Sequence, residues 1–141
     1  MILLDANVLS ELMRATPEPL VLAWMDSRPA PDFWVSAITV AEIRLGIALL
    51  PDGKRRANLA RLADAMFQED FASRCLPFDQ EAAALYALIV ANRMRQGRPI
   101  SVEDGQIAAI AVASGLTLAT RNTTDFAGIE GLRLINPWLA A

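Results

Sequence analysis

Apolar positions along the chain fall into two patterns: short blocks rich in aliphatic and aromatic residues, and longer stretches where apolar residues return at helical spacing. Blocks at residues 2–4, 33–36, 74–77, 116–119 and 132–135 predict about five strands, most of them too uniformly apolar to have a solvated face. The stretches between them predict helices. One opens at the Asp5-Ala6-Asn7 turn and carries Val8, Leu9, Leu12 and Met13; a second runs from Pro17 to Ser27, before the Pro29-Ala30-Pro31 break. Thr39 is read as the N-cap of a helix over 40–50, and Pro51-Asp52-Gly53 as the turn into a long helix over 54–71. Asp79 caps the next, which ends at Gln96 before Gly97-Arg98-Pro99. Ser101 with Asp104 forms a capping box for a last helix that Gly115 stops. Helices alternating with buried strands predict an α/β fold in three layers, a mainly parallel sheet flanked by helices.

At 141 residues the chain is the size of one domain, able to bury about two-thirds of its unfolded surface, and it shows no internal repeat or linker. The apolar stretches 82–91 and 107–113 read as buried helices, being shorter than the roughly 18–20 residues that span a bilayer. Residues 1–4 are too short for a secretory signal, and Cys75 is the single cysteine, so a cytoplasmic location is expected. The net charge of −3 would repel a polyanion unless cations are segregated. They are: Lys54, Arg55, Arg56 and Arg61 form one group, and Arg93, Arg95 and Arg98 another. Both read first as solvated helix faces and ends, and with Arg121 as candidate nucleic-acid contacts once a site is established.

Four acids stand apart from this pattern. Asp5 follows the first strand, where a carboxylate either starts the next helix or sits at the ligand-binding end of a parallel sheet. Glu42 has Ile38, Thr39, Leu45 and Gly46 three and four residues away, a mostly apolar side of its helix. Asp104 shares a face with Ile107, Ala108 and Ala111. Asp125 follows the fourth strand in a Thr-Arg-Asn turn and alone reads as a turn acid. Burying unpaired carboxylates costs several kcal/mol, so such placements call for a cation or hydrogen-bond donors. With no histidine and one cysteine, a Ser-His-Asp triad, a His-based ribonuclease and a Cys- or His-ligated zinc site are excluded. Oxygen-only ligands select Mg²⁺ or Mn²⁺.

Taken together, Ile2-Leu3-Leu4-Asp5-Ala6-Asn7, an inward Glu42, an inward Asp104 and Thr120-Arg121-Asn122 leading to Asp125-Phe126 resemble the PIN-domain ribonucleases. The resemblance covers essentially the whole chain, residues 1–141, as one PIN domain, and is strongest to the VapC-type toxins of toxin–antitoxin pairs, including the FitB-like branch. It implies that Asp5, Glu42 and Asp104 are the three core acids of a metal-dependent endoribonuclease. Asp5 and Asp104 would be the principal ligands of Mg²⁺ or Mn²⁺, with Glu42 ligating or orienting water. The fourth position falls to Asp125, supported by Asn7, Thr120 and Asn122, or to Asn122 itself acting through water. The family often has Thr or Ser where Ala6 stands, so a hydroxyl that could hold Asp5 is missing there. The resemblance further implies an RNA substrate, a homodimer and a small antitoxin whose C-terminal segment lies in a groove. Leu12, Met13, Leu20, Trp24, Ile47 and Leu50 are the apolar candidates for that contact.

Other classes fit less well. A metal-dependent phosphatase of the haloacid-dehalogenase type needs a second acid two positions after Asp5, where this chain has Asn7, and a receiver domain needs a late lysine, yet none follows Lys54. A PIN-fold binding module without catalysis is the remaining alternative, and metal-dependent turnover separates it from a nuclease.

Overall fold

The computed structural model describes residues 1–139. Five strands, β1 (Ile2–Leu4), β2 (Phe33–Ser36), β3 (Cys75–Leu76), β4 (Thr117–Ala119) and β5 (Leu134–Ile135), form one sheet in the order β3-β2-β1-β4-β5. Every pairing is parallel, so the sheet is wholly rather than mainly so. β1 lies at the centre, Leu3 facing Trp34 on one side and Leu118 on the other.

The pleat sends alternate side chains of β1 to opposite faces. Ile2 and Leu4 join a core with α1 (Ala6–Leu12), α2 (Pro19–Asp26), α3 (Ala37–Ala48) and α4 (Lys54–Ala65); Leu3 joins a second core with α5 (Gln80–Arg95) and α6 (Val102–Ser114). Because both faces are covered, the strand has no polar position, which is why its sequence shows no alternation. α5 and α6 pack most closely at Gly105, where a Cβ would come within 2.9 Å of the Tyr86 ring. Gly115 ends α6 in the left-handed conformation, φ 67°.

Several predicted boundaries move. Ser36, not Thr39, caps α3: its Oγ accepts from the Thr39 N–H at 3.0 Å, so the helix starts at Ala37. α2 starts at Pro19 rather than Pro17. The predicted 54–71 helix stops being α-helical at Ala65 and widens into a π-helical turn over Met66–Asp70, closed by Phe71 N–H to the Met66 carbonyl at 3.0 Å, with Met66 and Phe71 both buried. The stretch 82–91 is only half buried, since α5 packs on α6 as an outer layer with Leu88 63% exposed. Asp125 lies in a short helix, α7 (Thr123–Phe126), not in a turn. Among the described residues no helix is long and apolar enough to cross a membrane, and Cys75 is exposed and unpaired.

Connections from β1 lead to β2 on one side, while the chain returns through α5 and α6 to place β4 on the other. This reversal opens a crevice beyond the carboxyl ends of β1 and β4.

Candidate metal centre

Asp5 is the first residue past β1 and is buried, with 5% of its surface exposed. Its position is fixed by neighbours from both ends of the chain. The backbone N–H donates to the Ala119 carbonyl at 3.0 Å, Oδ1 accepts from the Ala6 N–H at 2.8 Å, and Oδ2 accepts from the Thr120 hydroxyl at 2.8 Å. Asn7 spans the same crevice: its amide donates to Thr120 Oγ1 at 3.2 Å and, at 3.5 Å, to Asp5 Oδ2, and its carbonyl accepts from the Arg121 N–H. The Asn122 N–H donates to Thr120 Oγ1. The hydroxyl that Ala6 cannot supply therefore comes from Thr120, fully buried after β4. Burial still raises the Asp5 pKa, against the opposing bonds from Thr120 and Ala6.

Glu42 sits in the second turn of α3, not at its start, partly buried. Its Oε1 is buried and has no hydrogen-bond partner. Burial, then the charges of Asp5, Asp104 and Glu103, lift its pKa to about 7. Asp104, in the first turn of α6 behind the Ser101 cap, is also raised, first by burial and then by Asp5, with Asp125 and Glu103 adding to the effect and the Ser101 hydroxyl opposing it. The four predicted acids thus share one electrostatic field, and that field includes Asp125 although its side chain is exposed. Asn122 is exposed and its side chain makes no capping bond to α7.

Among the described residues, no salt bridge involves any of the four acids. Nor are three His, Cys, Asp or Glu side chains gathered into a closed ion-binding group. The set suits an ion that keeps much of its water and takes only one or two carboxylates directly, as Mg²⁺ does, and the unpartnered Glu42 oxygen is what such an ion or its water would satisfy.

Residues 2–132 match the PIN domain family. The chain belongs to that family. Over 138 residues it is 46% identical to the VapC ribonuclease Y4jK of Sinorhizobium fredii, covering 98% of each chain. It is equally similar, 46% over 138 residues, to the toxin FitB of Neisseria gonorrhoeae, covering 98% of this chain and 99% of FitB. The crystal structure of FitAcB from Neisseria gonorrhoeae shares the fold with a TM-score of 0.87 at 44% identity, over 99% of this chain and 100% of that one.

In this PIN domain the predicted cations divide. Arg93 is not a surface contact: it is 5% exposed and donates to the carbonyls of Arg98, Asp125 and Ala127. Lys54, Arg55 and Arg56 occupy the first turn of α4, where the helix dipole disfavours cations, so capping does not explain them. Arg121 is exposed beside the Asp5 network, its guanidinium 5.0 Å from the Trp138 ring centre. Arg95 and Arg98 are exposed at the end of α5 and in the loop after it.

A groove of about 1380 Å³ runs from Glu42 between α1, α3 and α4, lined by Leu12, Met13, Ile47, Leu50 and Arg55 among others. Two apolar candidates fall away: Trp24 is a core residue, 6% exposed, and Leu20 is exposed but outside the groove. Sequence reasoning also missed two acids. Glu103 adds its charge to both Glu42 and Asp104, yet beside Asp104 in a helix's first turn it reads as a solvated cap. Glu11 is 6% exposed, and it accepts from Arg14 at 2.9 Å and from the Glu18 N–H at 3.0 Å.

Proposed function

We propose that this PIN domain, one unit over residues 1–141, is a metal-dependent endoribonuclease acting as the toxin of a toxin–antitoxin pair. The observation that carries the reading is the buried, unpartnered Glu42 oxygen facing the charges of Asp5 and Asp104, with no salt bridge to these acids among the described residues. Similarity to a VapC ribonuclease and to the toxin FitB along nearly the full chain supports the RNA substrate and the toxin role.

Asp5, Asp104, Glu42 and Asp125 would hold Mg²⁺ or Mn²⁺. The ion, when bound, polarises a phosphoryl oxygen of the RNA and lowers the pKa of an attacking water. Thr120 and Asn7 hold the Asp5 carboxylate in place through their bonds to Oδ2. Glu42, with a pKa near neutrality, can hold a proton on its carboxylate at physiological pH and release it as positive charge arrives. Ser101, by capping α6, sets where Asp104 enters the crevice. Cations at Lys54, Arg55, Arg56 and Arg121 supply the attraction for a polyanion that the net charge of −3 does not.

The groove leading from Glu42 is the place for an antitoxin segment, its apolar floor taking aliphatic side chains and its acidic end taking a basic one. The protein then acts in the cytoplasm as a homodimer held inactive by a small antitoxin.

The deciding experiment incubates end-labelled total RNA with the purified, antitoxin-free chain in EDTA, Mg²⁺ or Mn²⁺. Discrete cuts that require metal and disappear in an Asp5→Asn variant are expected. A folded sample that cuts under no metal would move the weight to a non-catalytic binding module.

A further inference from the structure

Arg93 is a buried guanidinium with no carboxylate partner among the described residues. All of its bonds go to backbone carbonyls: Nε to Arg98 at 2.8 Å, Nη2 to Asp125 at 3.0 Å, and Nη1 to Ala127 at 3.4 Å. Those acceptors belong to two segments that the chain itself does not join. Arg98 lies in the connection that leads to Ser101, the cap of the helix bearing Asp104. Asp125 and Ala127 belong to α7 and the residue after it. The Arg98 side chain closes the same seam, one of its nitrogens lying 3.5 Å from where a Cβ of Gly128 would be.

An unpaired buried cation is costly, and an apolar residue of similar length would fill the same space. What an apolar residue could not do is clamp three carbonyls in a fixed plane, which the rigid fork of arginine does. We infer that Arg93 is a positioning residue of the metal centre: by clamping the Asp125 segment to the approach of α6, it sets the distance between the third and fourth acids. The inference rests on the metal-dependent reading above and deepens it, giving Asp125 a fixed place although its own side chain is exposed.

The test titrates Mn²⁺ into antitoxin-free wild type, Arg93→Met, Arg93→Lys, Asp125→Asn and the Arg93→Met/Asp125→Asn double variant, following free Mn²⁺ by electron paramagnetic resonance. RNA cleavage kinetics are measured on the same samples. Arg93→Met is expected to weaken Mn²⁺ binding about 10-fold, the scale of lost outer-sphere support, and to lower kcat with KM for RNA nearly unchanged. Arg93→Lys, which keeps the charge but not the fork, should fall between. In the Asp125→Asn background the Arg93→Met loss should vanish, because the carboxylate it places is gone.

Wild-type affinity in Arg93→Met, the same loss with and without Asp125, or an effect on KM alone would overturn the inference. If Arg93→Met does not fold, Arg93→Lys decides by the same titration. A wild type that binds Mn²⁺ but cleaves no RNA overturns the nuclease reading only, and the titration still decides Arg93; a wild type that binds no Mn²⁺ overturns both.

Discussion

At the far end of α1, Glu11 is buried but its Oε2 is answered twice, by the Arg14 guanidinium and by the Glu18 N–H, which together pin the connection into α2. At the carboxyl edge of the sheet, Glu42 buries one oxygen that nothing answers, and its surroundings add the charges of Asp5, Asp104 and Glu103. The same side chain stabilises the fold in one region and works against it in the other. Burial of an acid says little about its role until its partners are counted. Where donors answer the buried oxygen the acid is part of the scaffold; where they are missing, it is a candidate for a functional role.

Removing the carboxylate in each region should separate the two most sharply. Glu42→Gln is expected to lower metal-dependent RNA cleavage by at least about 100-fold, beyond the usual loss from an outer-shell change, and to raise the melting temperature in EDTA. Glu11→Ala should leave cleavage by the folded chain unchanged and cost about 2 kcal/mol of stability in urea titration, since it removes charge-assisted bonds and leaves the Glu18 N–H unanswered. Equal effects of the two on cleavage would erase the distinction.

A smaller effect is expected one step behind the proposed ligands. Thr120→Val removes the hydroxyl on Asp5 Oδ2 while keeping the shape, and should reduce cleavage about 10-fold, with Thr120→Ser restoring most of it. Full activity in the valine variant would mean that Asp5 needs no orientation from the Thr120 hydroxyl.

The smallest effect is a pH dependence. The folded, metal-free chain holds a proton on Glu42 up to about pH 7, whereas an unfolded glutamate releases it near 4.5. Stability is therefore highest below pH 4.5 as far as this group is concerned, and is lost as pH rises through 4.5 to 7. Because the group is partly exposed, the slope will be shallow. Melting temperatures between pH 5 and 7.5 in EDTA should decline, and Glu42→Gln or saturating Mg²⁺ should flatten the decline; a flat wild-type profile in EDTA would mean that water already compensates Glu42.

The sheet was legible because β1, β2 and β4 are buried on both faces and so appear as short apolar blocks at residues 2–4, 33–36 and 116–119. Cys75–Leu76 and Leu134–Ile135 were harder to bound, since two-residue strands are set by their neighbours' register rather than by their own composition. The π-helical turn was invisible for a similar reason: widening at Met66 answers the need to bury both Met66 and Phe71, a tertiary demand. In the site, Asp5, Glu42 and Asp104 stood out as acids in apolar surroundings. Arg93 did not, because its neighbours Arg95 and Arg98 made it one member of a charged group, and only the fold shows which of the three turns inward. Thr120's bond to Asp5 spans 115 residues, a pairing that no local pattern reports.

That span has a consequence in time as well as in space. Protein synthesis proceeds from the end that carries Asp5, yet the strand that seats it and the hydroxyl that orients it lie at Ala119 and Thr120, and Asp125 comes later still. A chain still emerging from the ribosome therefore has its first carboxylate and no finished centre. Asp5 can be seated only once Ala119 and Thr120 have been made, so translation that stops before them releases a fragment whose first acid has neither its strand partner nor its hydroxyl.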